Sequence, residues 1–181
     1  MPNTRTFRFA AACAGFALCT SLAALPAVAS HHASGTIVQA AAGTSELSTL
    51  VTAVTAAGLA DTLSGPGPFT VFAPTNAAFG RLPAGTVDTL LEPGNRATLQ
   101  AVLTYHVVAG RVTAADLVRR IRAGRGSARL TTVQGGTLTA RMRGRDVVLV
   151  DARGGSARVT QADLMQSNGI VHVTDAVSLP N

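Results

Sequence analysis

The sequence predicts an α+β fold, with helices mostly in the first part of the chain and antiparallel strands mostly in the last third. Up to about residue 121 the apolar residues recur mainly at helical spacing, interrupted by a strand at Phe69–Ala73. From Leu130 onward they alternate with polar residues, and glycine-containing turns separate the alternating runs. Helices followed by strands in this order are typical of an α+β domain.

Residues 1–29 have the pattern of a cleavable signal peptide. Two arginines near the start precede an uncharged stretch over residues 9–25, and Ala27–Ala29 has the small residues of a cleavage site. We therefore expect an exported protein, secreted or periplasmic, that has no membrane span after cleavage. Both cysteines of the chain lie in this segment, so the mature protein would have no disulfide and no thiolate metal site.

Residues 30–43 are expected to be a flexible segment ahead of the domain. If cleavage follows Ala29, the new terminus begins Ser30-His31-His32. A free amine, two amide nitrogens and a histidine in third position can bind Cu(II) or Ni(II) in a square plane. A polar tail with incidental histidines is the alternative, and we expect no other metal and no cofactor.

Residues 44–180 are expected to form one domain, whose elements follow in order. The first two predicted helices are 45–57, which ends at Gly58, and 59–63. A short helix capped by Thr75 follows, and another lies around 87–91. Two further helices are capped by Asn95 and by Thr113. The predicted strands are 69–73, 105–108, 130–133, 137–142, 147–150, 157–160 and 170–173.

The first strand carries the aromatic residues around which the core should form. Phe69, Phe72 and Phe79 are the phenylalanines that follow the signal peptide. Apolar side chains point to both faces of Phe69–Ala73, which predicts a strand that is covered on both sides. Pro74 is expected to end it, because proline has no N–H to donate.

Charge is distributed unevenly, and every basic residue is arginine. Without the two arginines of the signal peptide, 13 of the 15 basic residues and all 9 acidic residues remain, a net charge of +4. Residues 111–158 hold 11 arginines and 3 acids, a net charge of +8. The rest of the mature chain has a net charge of −4.

Four blocks in the same order resemble the fasciclin (FAS1) family. Phe69–Phe79 reads Phe-Thr-Val-Phe-Ala-Pro-Thr-Asn-Ala-Ala-Phe, like the first conserved box of that family. Tyr105-His106, the hairpin pattern at 132–138 and the run Asn168–Val177 match three further features. The resemblance implies a wedge of β-strands with helices packed around it. It also implies adhesion or binding outside the cytoplasm, and the signal peptide with Arg-only basicity favours a bacterial member.

The resemblance also implies contact residues, because animal members are thought to bind receptors through a Tyr-His pair and an Asp-Ile pair. Tyr105 and His106 match the first pair, and Asp163 with Leu164 matches the second, Leu replacing Ile. Structural roles are the alternative for each. Tyr105 and His106 would be buried, hydrogen-bonded side chains, and Asp163 would cap the segment Leu164–Ser167 or hold a loop. The expected partner is a cell-surface or matrix protein or an acidic polysaccharide, bound by a monomer.

Two arginine clusters are the candidates for binding polyanions. The first is predicted as a mobile loop after a helix, and the second lies near a hairpin tip, with its members on one side of the strand if the strand continues that far. The members are Arg119, Arg120, Arg122, Arg125 and Arg129 in the first cluster and Arg141, Arg143 and Arg145 in the second. A solvated basic face is the alternative. Nucleic acid is not expected, because the mature chain has one Tyr and no Trp for base stacking.

Catalysis and the transport of an apolar ligand have less support in the sequence than adhesion. The chain has no G-x-S-x-G, H-E-x-x-H or P-loop motif, so we expect no enzymatic activity. The alternative function is a carrier of an apolar ligand such as a carotenoid or lipid. This would require a groove between helices and sheet, for which Met142 and Met165 are candidate lining residues.

Overall fold

The computed structural model of the chain describes residues 35–180. The helices are α1 (Ile37–Ala42), α2 (Ser48–Ala57), α3 (Ala60–Ser64), α4 (Asn76–Gly80), α5 (Thr86–Leu91), α6 (Arg96–Tyr105) and α7 (Ala114–Ala123), and short 3-10 helices at Ser45–Leu47 and Pro93–Asn95 precede α2 and α6. The strands are β1 (Phe69–Pro74), β2 (Val107–Ala109), β3 (Ser127–Thr131), β4 (Thr137–Arg143), β5 (Asp146–Val150), β6 (Ser156–Gln166) and β7 (Gly169–Thr174). The α+β prediction is confirmed.

The strands form a curled sheet in the order β2-β1-β7-β6-β5-β4-β3. β1 and β7 run parallel, and the other neighbouring strands pair antiparallel. The two ends of the sheet meet, since Val108 forms a bridge with Thr132 and the N–H of Val133 donates to the carbonyl of Val107 at 2.7 Å. The curled sheet therefore encloses an interior of its own.

Two apolar clusters lie on opposite faces of β1, as predicted for a strand covered on both sides. Val71 and Ala73 face a cluster formed mainly with α1, α2 and α6. Phe72 faces the interior of the curl, where α7 contributes Leu117 and Ile121. β1 therefore lies between the helical layer and the enclosed core.

Several helices begin or end at the residues that the sequence predicted. The Thr75 hydroxyl accepts from the N–H of Ala78 at 3.2 Å and starts α4, and the Thr113 hydroxyl accepts from Asp116 at 3.1 Å and starts α7. Gly58 ends α2 at φ +71°, a conformation that suits glycine. Asn95 does precede α6 at the N-cap position, but its side chain does not cap the helix. Its backbone is not extended, and its amide donates instead to the carbonyl of Thr89 at 2.8 Å.

Three segments differ from their predicted structure. Residues 37–42, assigned to a flexible segment, form α1, because Thr36 caps them and Ile37 and Ala41 are buried. Tyr105, assigned to a strand, is the last residue of α6, and the strand starts at Val107 after His106 in a helical conformation. β6 continues to Gln166, well beyond the predicted end, because β7 pairs with its second half.

Candidate functional site

Tyr105 lies at the end of α6 with its side chain inside the molecule, only 1% exposed. Its hydroxyl donates to the carbonyl of Thr137 at 2.8 Å and accepts from the N–H of Ala152 at 3.1 Å. Its ring lies against Gly136, where a Cβ would come within 2.6 Å of the ring. Burial raises the pKa of Tyr105, so the hydroxyl stays protonated and able to donate.

His106 connects α6 to the C-terminal segment. Its Nε2 accepts from the N–H of Ser178 at 2.9 Å, which places the proton on Nδ1, 2.7 Å from the carbonyl of Val102. The side chain is 3% exposed, and this burial lowers the pKa of His106. Beside it, the Asp151 carboxylate accepts from the N–H of Leu179 at 3.0 Å. His106 and Asp151 therefore hold the end of the domain in place.

The Tyr105-His106 pair is thus fully engaged within the fold. The hydroxyl and both ring nitrogens have backbone partners, and Tyr105 and His106 are only 1% and 3% exposed. The receptor-contact role that the resemblance implies for this pair stays a prediction. In this geometry Tyr105 holds the start of β4 and the segment after β5, and His106 holds the C-terminal segment.

Asp163 forms a kink in the middle of β6. The register with β7 shifts twice, between residues 159 and 161 and again between 161 and 164, and Asp163, in the second interval, has a φ of +59°. Its carboxylate accepts from the N–H of Ala114, the first residue of α7, at 2.8 Å. Asp tolerates this left-handed conformation better than most residues, and an acid at a helix N-terminus is favourable. The predicted cap of the segment Leu164–Ser167 is wrong, because residues 164–166 continue β6, and Asp163 caps α7 instead.

His172 on β7 fixes the same kink from inside the sheet. Its Nδ1 accepts from the N–H of Asp163 at 3.2 Å, which leaves Nε2 to donate to the carbonyl of Val112 at 2.9 Å. The ring stacks on Phe72 with centroids 5.4 Å apart. Burial lowers the pKa of His172, so the neutral ring that this hydrogen-bond pattern requires is favoured.

The kink leaves two apolar side chains exposed at an unpaired strand edge. Leu164 is 36% and Met165 43% exposed, and in the described part of the chain Val133 is the other large exposed apolar residue. β5 pairs with β6 only at residues 156–158, so no strand within residues 35–180 covers 159–166 on the side away from β7. Leu164 was a predicted contact residue. Met165 was considered only as lining for an apolar groove, although its place next to Leu164 was visible in the sequence.

All eight predicted arginines are exposed, but the first cluster does not form a loop. Three of the first cluster lie on α7, and Arg125 lies in the tight turn that follows at φ +54°. Arg129 is on β3. The predicted mobile loop is therefore wrong, because α7 continues to Ala123 and β3 starts at Ser127.

The second cluster divides in a similar way. Arg141 and Arg143 share the outer face of β4, as alternation predicts, whereas Arg145 lies in the turn after the strand ends. Arg129 pairs with Thr139 and therefore points to the same outer face as Arg141. Three of the predicted arginines thus meet on the side of the sheet opposite α7.

The same outer face includes arginines that sequence reasoning missed. Arg158 on β6 lies in one cross-strand row with Val148 and Arg141, and it forms ion pairs of 3.6 Å with both Asp146 and Asp175. Arg81, from the turn after α4, pairs with Asp175 at 3.7 Å. The strand containing Arg158 was predicted, but its register against β5 was not, so this row could not be drawn from the sequence.

The groove required by a carrier of apolar ligands is filled in this fold. The apolar space between the helices and the sheet is lined by Ile37, Leu50, Val71 and Leu103, and its cavity is about 20 Å³. That volume is about the size of a single water molecule. α1 occupies the remaining room, because Ile37 and Ala41 are buried there. Met142 and Met165 do not line this space.

The described residues contain neither a cluster of metal ligands nor a helix suited to span a membrane. Within 35–180 no three His, Cys, Asp or Glu side chains are grouped to hold a metal ion. The predicted Cu(II) or Ni(II) ligands Ser30, His31 and His32, like the signal peptide, lie outside the described residues. None of the described helices has the length and apolar character needed to cross a bilayer.

Comparison with known proteins identifies similar chains. A family model described as the fasciclin domain matches residues 45–180. Protein sll1483 of Synechocystis sp. is 44% identical over 161 residues, which are 89% of this chain and 82% of that protein. The cell surface glycolipoprotein MPB83 of Mycobacterium bovis is 34% identical over 149 residues, which are 80% of this chain and 60% of that protein.

A solved structure shares the fold. It is a FAS1 domain pair from the insect cell adhesion molecule fasciclin I, with a TM-score of 0.53 and 26% sequence identity. The match covers 70% of this chain and 42% of that one, so this chain spans less than half the length of the solved structure.

Proposed function

The chain belongs to the fasciclin domain family, as the four sequence blocks predicted, and from this premise we propose that it is an exported binding domain. It attaches to a protein of the cell surface or the extracellular matrix, as a monomer and without catalysing a reaction. The names of the similar proteins support this, since one is a cell surface glycolipoprotein and another a cell adhesion molecule.

The observation that carries the proposal is the exposed edge of β6. Natural sheets usually protect an unpaired edge with charges, proline or a covering segment. Here Leu164 and Met165 are exposed on a strand whose outer side no described strand pairs with. Successive residues of a strand point to opposite faces, so the two side chains flank the edge. A partner strand could add main-chain hydrogen bonds there and bury both side chains.

The kink at Asp163 gives this edge a fixed shape. The N–H of Asp163 is bonded to His172 and its carboxylate to α7, so the segment that presents Leu164 is tied to two other elements. A contact segment held in one conformation loses less entropy when a partner binds. The match of Asp163 and Leu164 to the contact positions of animal relatives is consistent with this location.

The absence of catalysis is part of the proposal and rests on the two histidines. His106 and His172 each have both ring nitrogens bonded to backbone atoms, and burial lowers both pKa values. Neither ring has a free nitrogen facing a cleft where it could accept a proton from a substrate. Export by the signal peptide at 1–29 is part of the same proposal.

Capture from the cell envelope of the native host tests this proposal. The immobilised wild-type protein is compared with the Leu164→Ser/Met165→Ser variant and with Val133→Ser, which removes a 48% exposed apolar side chain elsewhere. We expect the double variant to lose the captured protein by roughly tenfold or more, because truncating central apolar contacts is costly. Val133→Ser should retain it. Equal capture of the same protein by all three baits would overturn the proposal.

A further inference from the structure

We propose that the outer face of β3 and β4 is a second, separate binding site, for an acidic polysaccharide. We call it the arginine face and define it as Arg129, Arg141 and Arg143. All three are exposed, and none forms an ion pair with a described residue. This site does not include the β6 edge and goes beyond the protein-binding function proposed above.

The geometry of the sheet brings these three charges together. Arg141 and Arg143 are two residues apart on β4, which separates them by roughly 7 Å on one face. Arg129 pairs with Thr139, so it is the diagonal neighbour of Arg141, roughly 7 to 8 Å away. Like charges at these distances repel one another in the free protein, and bound anions would relieve that repulsion.

Two carboxylates, Asp146 and Asp175, lie next to the arginine face, which keeps a net positive charge. Arg158 continues the row of Arg141 and is held between Asp146 and Asp175. These two carboxylates form ion pairs with Arg158 and Arg81. Asp146 also lies opposite Arg143 across β4 and β5, without an ion pair to it, so one carboxylate borders the arginine face. Its guanidinium groups remain available, and each can bind a carboxylate or a sulfate through two parallel hydrogen bonds.

The apolar and aromatic content of this face favours a polysaccharide over a protein. A specific protein interface has an apolar core, but Val148, which lies between Arg141 and Arg158, is only 7% exposed. The exposed large apolar residues of the described chain lie elsewhere, at 133, 164 and 165. A flat face with regularly spaced charges and little apolar area suits a hydrated polymer with repeated anionic groups.

Nucleic acid fits this face less well. The strands β3 to β6 contain no Phe, Tyr or Trp on which a base could stack. The anionic group of the polysaccharide is a carboxylate or a sulfate ester, because the guanidinium fork binds either. The experiment therefore includes one polymer of each kind.

The test measures binding of the purified protein to immobilised alginate, which carries carboxylates, and to dextran sulfate at physiological ionic strength. The Arg129→Ser/Arg141→Ser/Arg143→Ser variant is compared with Arg120→Ser/Arg122→Ser/Arg125→Asn, which removes the same charge from exposed positions on and after α7. We expect the first variant to bind at least one polymer roughly tenfold more weakly than wild type, and the second to change by less than about threefold.

Two further variants sharpen the result. The Arg129→Lys/Arg141→Lys/Arg143→Lys variant keeps the charge but removes the guanidinium fork, so we expect its affinity to lie between those of the wild type and the Ser variant. Leu164→Ser/Met165→Ser should bind the polymers like wild type, which separates this site from the proposed protein site. Unfolding midpoints in urea check that each variant is folded.

Three results would overturn the proposal. The first is no binding of either polymer by the wild type. The second is equal weakening by both triple variants, which would mean that net charge alone attracts the polymer. The third is tighter binding of single-stranded DNA, or of vesicles with anionic lipid, than of both polysaccharides at equal charge concentration.

Discussion

His106 and His172 are buried imidazoles, each of which bonds to two segments of backbone through opposite ring nitrogens. This arrangement requires the neutral ring with one defined tautomer, and burial lowers both pKa values from the ordinary value of 6.5. The sequence predicted a buried, hydrogen-bonded side chain for His106 as the alternative to a contact role. It could not predict which backbone atoms the two histidines bond, because Ser178 and Val112 are distant in the chain.

The folded protein should lose stability as the pH falls below about 6.5. The unfolded chain then takes up protons on both imidazoles, whereas the folded protein resists protonation, so the free energy of unfolding decreases with decreasing pH. The slope should approach about 1.4 kcal/mol per pH unit for each histidine. Urea unfolding between pH 7.5 and 5 measures it.

Asp116 does not contribute to this change in the free energy of unfolding between pH 7.5 and 5. Hydrogen bonds from Thr113 keep the pKa of its carboxyl below 3.8, so its contribution is lost only at lower pH. A free energy of unfolding that stays constant from pH 7.5 to 5 would show that the two histidines are not held neutral by the fold.

The loss in free energy of unfolding on substituting Asp163 should depend on the residue that replaces it. Asparagine keeps a side-chain oxygen for the N–H of Ala114 and also adopts positive φ, so Asp163→Asn should cost less than about 1 kcal/mol. Glycine keeps the backbone freedom but loses the cap, at a cost of about 1 to 2 kcal/mol. Alanine loses the cap and is strained, at a cost of about 2 to 4 kcal/mol. Urea unfolding gives the order, and Asp163→Ala equal to Asp163→Asn would contradict it.

At the scale of elements, α1 shows how tertiary packing overrides a weak sequence signal. Its six residues are too few for a stable isolated helix, and the sequence gives no strong periodicity. Contacts distant in sequence hold it, including the bond from the N–H of Ile37 to the Asn168 side chain at 3.0 Å. The family match begins only at residue 45, so it does not include α1.

We expect α1 to be an integral part of the domain, which would place the start of the domain before residue 44. Ile37→Ala should lower the free energy of unfolding by about 2 to 4 kcal/mol, because Ile37 is 3% exposed and fills the apolar space beside Leu50. Ala42→Ser changes an exposed position of the same helix and should have little effect. Equal stability of the two variants would mean that the domain does not depend on α1.

Strand positions were largely predictable, whereas strand pairing was not. Alternation and glycine turns located β4, β5 and β7 to within a few residues, and alternation placed Arg141 and Arg143 on one face. The addition of Arg129 and Arg158 to that face depends on the register between strands. Register is set by contacts across the sheet, which one sequence does not specify.

For the molecule as a whole, the sequence motifs predicted the family and the α+β class, but not how the sheet closes. Phe69–Phe79 does form β1 and the helix after it, with apolar clusters on both faces of the strand. The contact between the two ends of the sheet, through Val108 and Thr132, has no local signal. That closure places α7 over one face of β3 and β4 and leaves the arginine face on the other.

Two surfaces of the domain are therefore proposed to bind different partners. The β6 edge offers apolar side chains and an unpaired backbone edge, and the arginine face offers charges without apolar area. An adhesion domain with both could attach to a protein and to the polymer around it at once, which raises the overall affinity without new contacts at either site.

Site-specific photo-crosslinking tests the central claim most directly, namely that a protein partner docks on the β6 edge. A photoreactive phenylalanine analogue replaces Met165 in one sample and Val133 in another, and both are irradiated with the cell envelope of the native host. We predict a discrete protein adduct from position 165 that excess wild type suppresses and excess Leu164→Ser/Met165→Ser does not. An adduct of equal yield from position 133, or suppression by both competitors, would contradict the claim.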